Sequence, residues 1–567
     1  MKNIRRISAI LLALVMVLAL TVNAFAYTVT IEPNADDNAA HTYEAYQIFK
    51  GDLAESNNKK ILSNITWGSN VDDTKLGQLA ADIEALRDPT AENYTALTAS
   101  SSAAEFAEAI AALNAGNDTE TAQKVADAFG KVLTGTPAAS GSAALDVSPA
   151  GYYLVKDQDN SLSGQEDAAY SRFILQVVSD VTVAAKSEVP SVDKKIKDGE
   201  TKLSANSASI GDEIPYEITS KVPDMTGYDK YYFVLNDTMT KGLTFNDDVT
   251  VTIGETALAA DDYEVSYETA ADGTTAVKIV LKNFIQYKDQ KDAAIAVNYT
   301  ATLNEQADLT AAGNVNEVQL TYSNDPNYDY QGIDEPDPND PDEPTGVTPK
   351  VETKTFSIAM QLTKVDADIP TKTLTGAKFL IDGEKLNVAL INKKVFEPAA
   401  DGTYYMLKDG TYTTEAPNGN EDLYDSTSKK YKLVDKVTED VTKEQVTAEG
   451  YVNENGVLTI EGLNAGTYTI TELAAPEGYN LLKLPIELVV NSVVDQDTKT
   501  CDWSATVDGE NAAIENNVIK LTVKNNQGSE LPSTGGIGTT LFYVLGGMLV
   551  LSACVILITR KRVNAEA

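Results

Sequence analysis

The chain has 567 residues and a formal net charge of −39 at neutral pH, which repels phosphate backbones and excludes nucleic acid as a partner. Its single histidine, His41, excludes histidine-rich zinc sites and Ser-His-Asp or Cys-His machinery, and no glycine-rich phosphate loop is present. We therefore predict no metal, no cofactor and no enzymatic turnover of a diffusible substrate.

The N-terminus has the pattern of a secretory signal. The basic stretch MKNIRR precedes the apolar run ISAILLALVMVLALTV, and small residues follow at Ala24 and Ala26. This pattern predicts a signal peptide over residues 1–26, with cleavage between Ala26 and Tyr27. A retained N-terminal membrane anchor is the alternative, but the apolar run is short for a membrane span.

Residues 27–186 form the first predicted domain, which mixes strands with helices. The segments TVTIEP and TYEAYQIF are predicted strands, and apolar residues then recur at helical spacing from Leu76 onward. Ser102 and Glu105 have the spacing of a capping box at the start of one helix. The segments GYYLV and SRFILQVVSDVTV return this domain to strands.

Two strand-rich domains follow. Residues 187–330 contain short alternating runs separated by turns, which predicts an all-β sandwich. Residues 331–350 include IDEPDPNDPDEPTG, interpreted as a stiff interdomain linker; the alternative is a calcium site, although prolines interrupt the ligand spacing. Residues 351–528 are again β, with an irregular insertion at 383–450. The predicted fold class is mainly β: three tandem immunoglobulin-like β-sandwiches, the first with helical insertions.

A glutamate lies on an inward face of the third domain. In the strand TYTITEL, Glu472 shares a face with Tyr468 and Ile470, and glutamate is almost never fully buried without a partner. The first and last strands of this domain end their apolar faces with Lys364 and Asn525, respectively. Because a lone buried charge is costly, three polar groups that converge on one core suggest chemistry between them.

These three groups have the chemistry to form an amide bond. Burial lowers the pKa of a lysine and raises the pKa of a glutamate, so a proton can pass and leave a neutral amine. The Lys364 amine would attack the Asn525 side-chain carbonyl, while Glu472 polarises that carbonyl and assists loss of ammonia. Contact between the groups supplies the effective molarity. We hypothesise a Lys364–Asn525 isopeptide bond; a buried salt bridge with a hydrogen-bonded asparagine is the alternative.

The C-terminus carries a short motif, an apolar run and a basic tail. The motif LPSTG consists of Leu531, Pro532, Ser533, Thr534 and Gly535. The run IGTTLFYVLGGMLVLSACVILIT follows, is long enough to span a bilayer, and ends at three basic residues. Residues 531–567 thus resemble the sorting signal of Gram-positive surface proteins, with an ordinary single-pass anchor as the alternative. The resemblance implies that the transpeptidase sortase cuts after Thr534 and passes the acyl group to an amine.

Segments of the third domain resemble a family of isopeptide-forming domains. TYTITELAAPEGYN is similar to the E-box of collagen-adhesin B-type domains in Gram-positive pilins. LTKVD and VKNNQGSELPSTGG are similar to the matching first and last strands of those domains. In that family the glutamate catalyses a spontaneous Lys–Asn bond, which implies that Glu472 acts on Lys364 and Asn525.

Segments of the second domain resemble the collagen-adhesin A-like middle domain of pilus backbone subunits. The similar segments are PSVDKKI, IGDEIPYEIT, FVLNDTMTKGLTF and EVQLTYSNDP. The resemblance implies Asp237 as the catalytic acid and a bond between Lys194 and Asn324. Lys195 competes with Lys194 but lies on the other face of a regular strand.

The first domain departs from this pattern. Aligning AGYYLVKD with the later AGTYTITE places Asp157 opposite Glu472, and Lys50 is a conceivable amine. The closing strands FILQVVSDVTV contain no asparagine. We predict no isopeptide bond in this domain.

A lysine at the end of the first domain is a candidate for polymerisation. Lys186 follows DVTVAA and resembles the lysine of the pilin motif, although Ala184 and Ala185 replace the usual Tyr-Pro. The whole-chain resemblance implies a pilus shaft subunit, polymerised by sortase through Thr534 and Lys186 of the next copy. The implied partners are sortase, other copies of the chain and cell-wall peptidoglycan. A solitary wall-anchored adhesin or an accessory pilin linked directly to peptidoglycan is the alternative, and the host ligand stays open.

Overall fold

The structure is a computed structural model that describes residues 26–528 with short gaps. The gaps are residues 33–36, 38, 57–58, 92–93, 114–117, 163–164, 186–188, 327, 329–343, 385, 387 and 442–446, and residue 550 is also described. The predicted signal peptide before Ala26, Lys186, most of the acidic stretch, the LPSTG motif and nearly all of the predicted span therefore lie outside the described residues. The described chain forms two compact units, one of residues up to 358 with 492–503 and one of residues 359–491 with 504–528.

The first domain combines two sheets with three helices. Its elements are β1 (Tyr27–Glu32), β2 (Tyr43–Ser56), β3 (Lys59–Trp67), α1 (Leu76–Glu84), α2 (Ala103–Ala112), α3 (Thr119–Gly130), β4 (Ala139–Gly141), β5 (Ala144–Val147), β6 (Gly151–Asp157), β7 (Arg172–Val177) and β8 (Val181–Ala184), with a short 3-10 helix at Asp73–Lys75. One sheet has the order β3-β2-β6-β7, with β4 beside β2, and the other has the order β5-β1-β8. Side chains alternate along β6, so Leu154 packs with the helices while Tyr153 and Val155 pack with the second sheet.

The predicted helices of this domain are confirmed. Leu76, Leu79 and Ile83 form the buried face of α1, as their spacing predicts. At the start of α2, Ser102 accepts a hydrogen bond from the Glu105 amide and the Glu105 carboxylate accepts one from the Ser102 amide at 2.6 Å. The capping box therefore satisfies amides that the first turn of a helix leaves unpaired.

The middle domain is a sandwich of two larger sheets. Its strands are β9 (Asp193–Asp198), β10 (Thr201–Leu203), β11 (Ala205–Ser207), β12 (Glu213–Lys221), β13 (Phe233–Met239), β14 (Leu243–Phe245), β15 (Thr250–Ile253), β16 (Thr256–Ala257), β17 (Tyr263–Thr269), β18 (Thr275–Leu281), β19 (Ala294–Leu303), β20 (Asn314–Ser323), β21 (Thr345–Val347) and β22 (Val351–Phe356), with a 3-10 helix at Phe284–Gln290. One sheet has the order β10-β9-β12-β19-β15-β16, with β14 beside β19. The other has the order β11-β22-β20-β13-β18-β17, with β21 beside β20.

The predicted boundary after the middle domain was wrong. β21 and β22 both pair with β20, so residues 345–356 complete a sheet of the middle domain. The chain on either side of the acidic stretch therefore belongs to one domain, and that stretch does not separate two domains. Its Pro- and Asp-rich composition is typical of a linker, but composition alone does not reveal which strands pair on either side of it.

The third domain is a sandwich whose first and last strands are neighbours. Its strands are β23 (Ile358–Asp366), β24 (Lys378–Asp382), β25 (Val388–Pro398), β26 (Tyr405–Met406), β27 (Tyr412–Thr413), β28 (Tyr431–Val441), β29 (Thr447–Tyr451), β30 (Val457–Leu463), β31 (Gly466–Ala474), β32 (Ile486–Asp495), β33 (Thr500–Val507), β34 (Glu510–Asn511), β35 (Ala513–Glu515) and β36 (Val518–Asn525), with a 3-10 helix at Glu421–Leu423. The two main sheets have the orders β28-β25-β30-β23-β36-β35 and β29-β24-β31-β32-β33-β34. β23 and β36 pair in parallel, so their C-terminal ends lie side by side.

The predicted fold class is confirmed: the described chain is mainly β, in tandem β-sandwich domains, and its α-helices lie in the first domain. Among the residues that the structure describes, no helix is long and apolar enough to cross a membrane.

Candidate functional sites: two buried lysine–carboxylate–asparagine clusters

Strand pairing brings the three predicted residues of the third domain together. Lys364 lies near the end of β23 and Asn525 ends β36, and the parallel register places Asn525 beside Asp366, two residues after Lys364. Glu472 lies on β31 of the opposite sheet, so its side chain reaches the pair across the core. The side chains of Lys364 and Glu472 are both fully buried.

The contacts of this cluster are those that the proposed chemistry requires. Lys364 Nζ donates a hydrogen bond to Asn525 Oδ1, the oxygen of the carbonyl that it would attack. Asn525 Nδ2 donates to both oxygens of Glu472 at 3.0 Å, and Lys364 Nζ lies 3.3 Å from Glu472 Oε1. The Leu482 amide donates to Glu472 Oε2 at 2.8 Å and fixes the carboxylate. Burial lowers the pKa of Lys364, although attraction to Glu472 opposes that shift.

The middle domain contains a second cluster of the same type. Lys194 on β9 and Asp237 on β13 face each other from opposite sheets, and both side chains are fully buried. Lys194 Nζ donates to Asp237 Oδ2 and also, at 2.5 Å, to Asn316 Oδ1. Burial lowers the pKa of Lys194 and raises the pKa of Asp237, while their mutual attraction opposes both shifts.

The asparagine of this cluster is Asn316, and the prediction of Asn324 was wrong. Both asparagines belong to the inward-facing set of β20 and the residue that follows it, so alternation alone does not separate them. Asp237 pairs with Val318, two residues from Asn316. Asn324 is six residues from Val318, about 20 Å at the rise of an antiparallel strand. The prediction placed the asparagine at the end of the strand, as in the third domain, whereas here it lies near the start.

The competitor lysine lies outside the cluster. Lys195 is about one-third exposed, and its Nζ lies 3.2 Å from Ser204 Oγ and 3.4 Å from Asp193 Oδ1. The alternation of the strand therefore assigns the buried amine to Lys194, as the sequence predicted.

A tyrosine that the sequence analysis did not identify completes the middle cluster. Tyr299 on β19 donates its hydroxyl hydrogen bond to Asp237 Oδ2 at 2.8 Å and accepts one from Asn316 Nδ2 at 2.9 Å. The rings of Tyr216 and Tyr299 lie 5.3 Å and 5.4 Å from Lys194 Nζ. Burial, with the negative charge of Asp237, raises the pKa of Tyr299 well above its usual value, so the hydroxyl keeps its proton.

The aspartate of the first domain has a different partner. Asp157 Oδ1 lies 2.8 Å from His41 Nδ1, and His41 Nε2 lies 3.0 Å from Asp37 Oδ2. Burial opposes charging of this histidine, but hydrogen bonds to the two carboxylates raise the pKa of His41 to about 9. Lys50 is exposed and lies seven residues along β2 from Tyr43, the residue that pairs with Asp157.

The other predicted sites are the signal cleavage site, the linking lysine and the LPSTG motif, and no metal site was predicted. The signal cleavage site is described only at its two flanking residues, and Lys186 and the LPSTG motif are not described. Within the described ranges, no group of three or more His, Cys, Asp or Glu side chains is arranged to hold a metal ion.

Three regions of the chain match family models. Residues 210–326 match a Gram-positive pilin backbone subunit 2, Cna-B-like domain, residues 418–505 match a prealbumin-like fold domain, and residues 523–565 match an LPXTG cell wall anchor motif. The description of the middle-domain match is Cna-B-like, whereas the sequence predicted an A-like domain there. The anchor match includes the LPSTG motif and the apolar run that follows it.

Similar proteins include surface and pilus proteins of Streptococcus and Corynebacterium. The trypsin-resistant surface T6 protein of Streptococcus pyogenes serotype M6 is 26% identical over 408 residues, which are 67% of this chain and 70% of that protein. The structure of the T6 backbone pilin of that serotype aligns with a TM-score of 0.47 and 14% identity, over 90% of this chain and 100% of that one. The full-length major pilin SpaD from Corynebacterium diphtheriae aligns with a TM-score of 0.43 and 15% identity, over 89% and 98%.

Proposed function

Because regions of this chain match models of a Gram-positive pilin backbone subunit and of an LPXTG cell wall anchor motif, we propose that it is the shaft subunit of a covalent surface pilus, stabilised by internal Lys–Asn isopeptide bonds. The observation that carries the proposal is the pair of buried clusters, each with a lysine amine against an asparagine carbonyl oxygen and beside a carboxylate. Such bonds form once per molecule, so the chain is not an enzyme with turnover.

In the third domain the reaction begins with transfer of a proton from Lys364 to Glu472. The neutral Nζ attacks the side-chain carbonyl carbon of Asn525, and protonated Glu472 stabilises the carbonyl and then supplies a proton to Nδ2. The C–Nδ2 bond breaks, ammonia leaves, and an amide joins Nζ to the former asparagine carbon. The carboxylate already accepts two hydrogen bonds from Nδ2, which places the proton donor on the leaving group.

The corresponding bond in the middle domain joins Lys194 to Asn316, with Asp237 as the acid. This pairing replaces the Lys194–Asn324 bond that the sequence predicted. The support is the contact of Lys194 Nζ with both Asp237 and Asn316 in a core without exposed surface at either charged side chain.

The third-domain bond would join the two terminal strands of its domain, which carry the load. The third-domain bond would close a loop of 161 residues between the first and the last strand. In the chain-entropy model, a cross-link that closes a loop of this length stabilises the folded state by about 5 kcal/mol. Because tension enters this domain through its terminal strands, a covalent tie between them prevents their separation.

Sortase would then join the subunits. The Thr534–Gly535 bond breaks, the Thr534 carbonyl is held on the enzyme, and Lys186 Nζ of another copy takes it as an amide while residues 535–567 are released. The final subunit would pass its Thr534 to a peptidoglycan amine and anchor the fibre to the wall.

The intact mass of residues 27–530 tests the internal bonds directly. We expect a mass that is two ammonias below the sequence mass, one for each cluster. A mass that is short by one ammonia would limit the chemistry to one domain. A full mass would reduce both clusters to buried ion pairs with hydrogen-bonded asparagines.

Replacement of Lys186 tests the polymer. We expect Lys186→Ala to abolish the high-mass ladder in cell-wall extracts and leave wall-linked monomer, because the acceptor amine is missing. Lys50→Ala, which removes an exposed lysine of the same domain, is the matched control and keeps the ladder. An intact ladder in Lys186→Ala would rule out this lysine as the acceptor. A wild-type chain found only as wall-linked monomer would favour the solitary adhesin or accessory pilin.

A further inference from the structure

The two clusters differ in how the carboxylate reaches the leaving nitrogen. In the third domain, Glu472 contacts Asn525 Nδ2 directly. Aspartate is shorter by one methylene, and in the described middle domain Asp237 connects to Asn316 Nδ2 through the hydroxyl of Tyr299. In the middle domain the leaving nitrogen therefore donates its hydrogen bond to a tyrosine oxygen, and not to a carboxylate oxygen.

We propose that Tyr299 is a catalytic residue of the middle domain and relays a proton from Asp237 to the departing amide nitrogen of Asn316. This inference rests on the proposed Lys194–Asn316 bond and adds a step to it. Tyr299 touches both the acid and a reacting atom, and its ring is held in place by stacking on Tyr216 at 5.4 Å and by an edge contact with Phe245 at 5.7 Å.

The relay conserves the number of protons. Lys194 first gives a proton to Asp237, and the neutral Nζ attacks the Asn316 carbonyl carbon. Nδ2 of the tetrahedral intermediate then has a lone pair, accepts the Tyr299 hydroxyl proton, and leaves as ammonia when the C–N bond breaks. Tyr299 recovers a proton from Asp237, which in turn takes the excess proton from Nζ. The products are one amide, one ammonia and a neutral Asp237, so the five protons of the starting ammonium and amide groups are all accounted for.

The hydroxyl is suited to relay a proton because it is protonated before the reaction and is buried away from solvent. Tyr299 is almost fully buried, and its neighbours are the reacting groups and aromatic rings. A water molecule cannot take its place without a cavity to hold it, so loss of the hydroxyl leaves Nδ2 without a proton donor.

Tyr299→Phe tests the relay because it removes one oxygen atom and keeps the packed ring. The full chain is synthesised in a cell-free system, translation is stopped, and samples taken over hours are digested. The cross-linked peptides that contain Lys194 and Lys364 are then quantified separately by mass spectrometry. We expect formation of the middle-domain bond to slow by about 100-fold or more, the low end of general acid–base contributions. The third-domain bond forms at the wild-type rate and is the internal control.

Tyr322→Phe is the matched control. Tyr322 is also fully buried, lies on the same strand as Asn316, and donates its hydroxyl to the Ala168 carbonyl at 3.1 Å, away from the cluster. We expect this variant to form both bonds at the wild-type rate. Equal rates in wild type and Tyr299→Phe would overturn the relay. Absence of the Lys194 peptide from wild type would instead overturn the proposed bond itself, so the two failures are distinct.

A structural role for the hydroxyl makes a different prediction. In a Lys194→Ala background, where the middle-domain bond cannot form, the relay predicts that Tyr299→Phe and Tyr322→Phe change the thermal midpoint to a similar extent. A much larger loss for Tyr299→Phe, together with slow bond formation, would assign the effect to folding and overturn the catalytic role.

Discussion

Glu472→Gln is expected to leave the third domain without its internal bond. Glutamine keeps the shape of the side chain and a carbonyl oxygen for the Leu482 amide, but it neither takes the proton of Lys364 nor returns one to Asn525. The intact mass should then fall short of the variant's own sequence mass by one ammonia instead of two. With a loop of 161 residues left open, this domain should lose about 5 kcal/mol, which lowers its melting temperature by roughly 10–20 °C.

Glu461→Gln is the matched control for that experiment. Glu461 lies on β30 of the same domain, and partial burial raises its pKa, but it has no part in the cluster. Its variant should fall short of its own sequence mass by two ammonias, as wild type does, and should have a melting temperature close to that of wild type. A Glu472→Gln protein that still loses its ammonia would show that the amide forms without this carboxylate. Intact mass spectrometry and calorimetry on the same samples separate the chemical effect from a folding effect.

The third-domain cluster was predictable from sequence because each of its members ends a row of alternating apolar residues. Strand period fixes the face of a residue, and a charged side chain at the end of an inward face needs a partner in the same core. Lys364 and Asn525 lie on the first and last strands of one domain and Glu472 lies on a strand between them, so a small number of pairings can bring them together. The same reasoning identified Lys194 and Asp237 in the middle domain.

The sequence determined the face of the sheet on which a residue lies, but not which residues of the neighbouring strands lie beside it. Asn316 and Asn324 have the same strand parity, and only the pairing of Asp237 with Val318 selects between them. Tyr299 was missed for a related reason. A tyrosine on an inward strand face is an ordinary core residue. Its catalytic role depends on a contact with a residue of the opposite sheet, and the alternation of side chains along a strand does not reveal that contact. The strands at residues 345–356 were missed because their pairing partner precedes them by a long, acidic, proline-rich stretch.

Replacement of the two middle-domain asparagines should give opposite results. We expect Asn316→Ala to abolish the Lys194 bond, to reduce the deficit against its own sequence mass from two ammonias to one, and to lower the stability of the middle domain by about 5 kcal/mol, since a loop of 122 residues is no longer closed. Asn324→Ala removes an equally buried amide whose side-chain oxygen has no hydrogen-bond partner among the described residues. It should retain the bond and the wild-type loss of two ammonias.

The pair of variants is decisive because the two asparagines share a residue type and a strand face and are both buried, but only Asn316 contacts the amine. Peptide mapping locates the bond, and the melting temperature reports its energetic effect. An Asn324→Ala protein that lacks the bond would contradict the assignment to Asn316. If instead only Asn316→Ala lacks the bond, the asparagine that reacts is the one beside the carboxylate and not the one at the end of the strand. The rule is physical: the amine attacks the carbonyl that the folded core holds against it, and proximity supplies most of the rate.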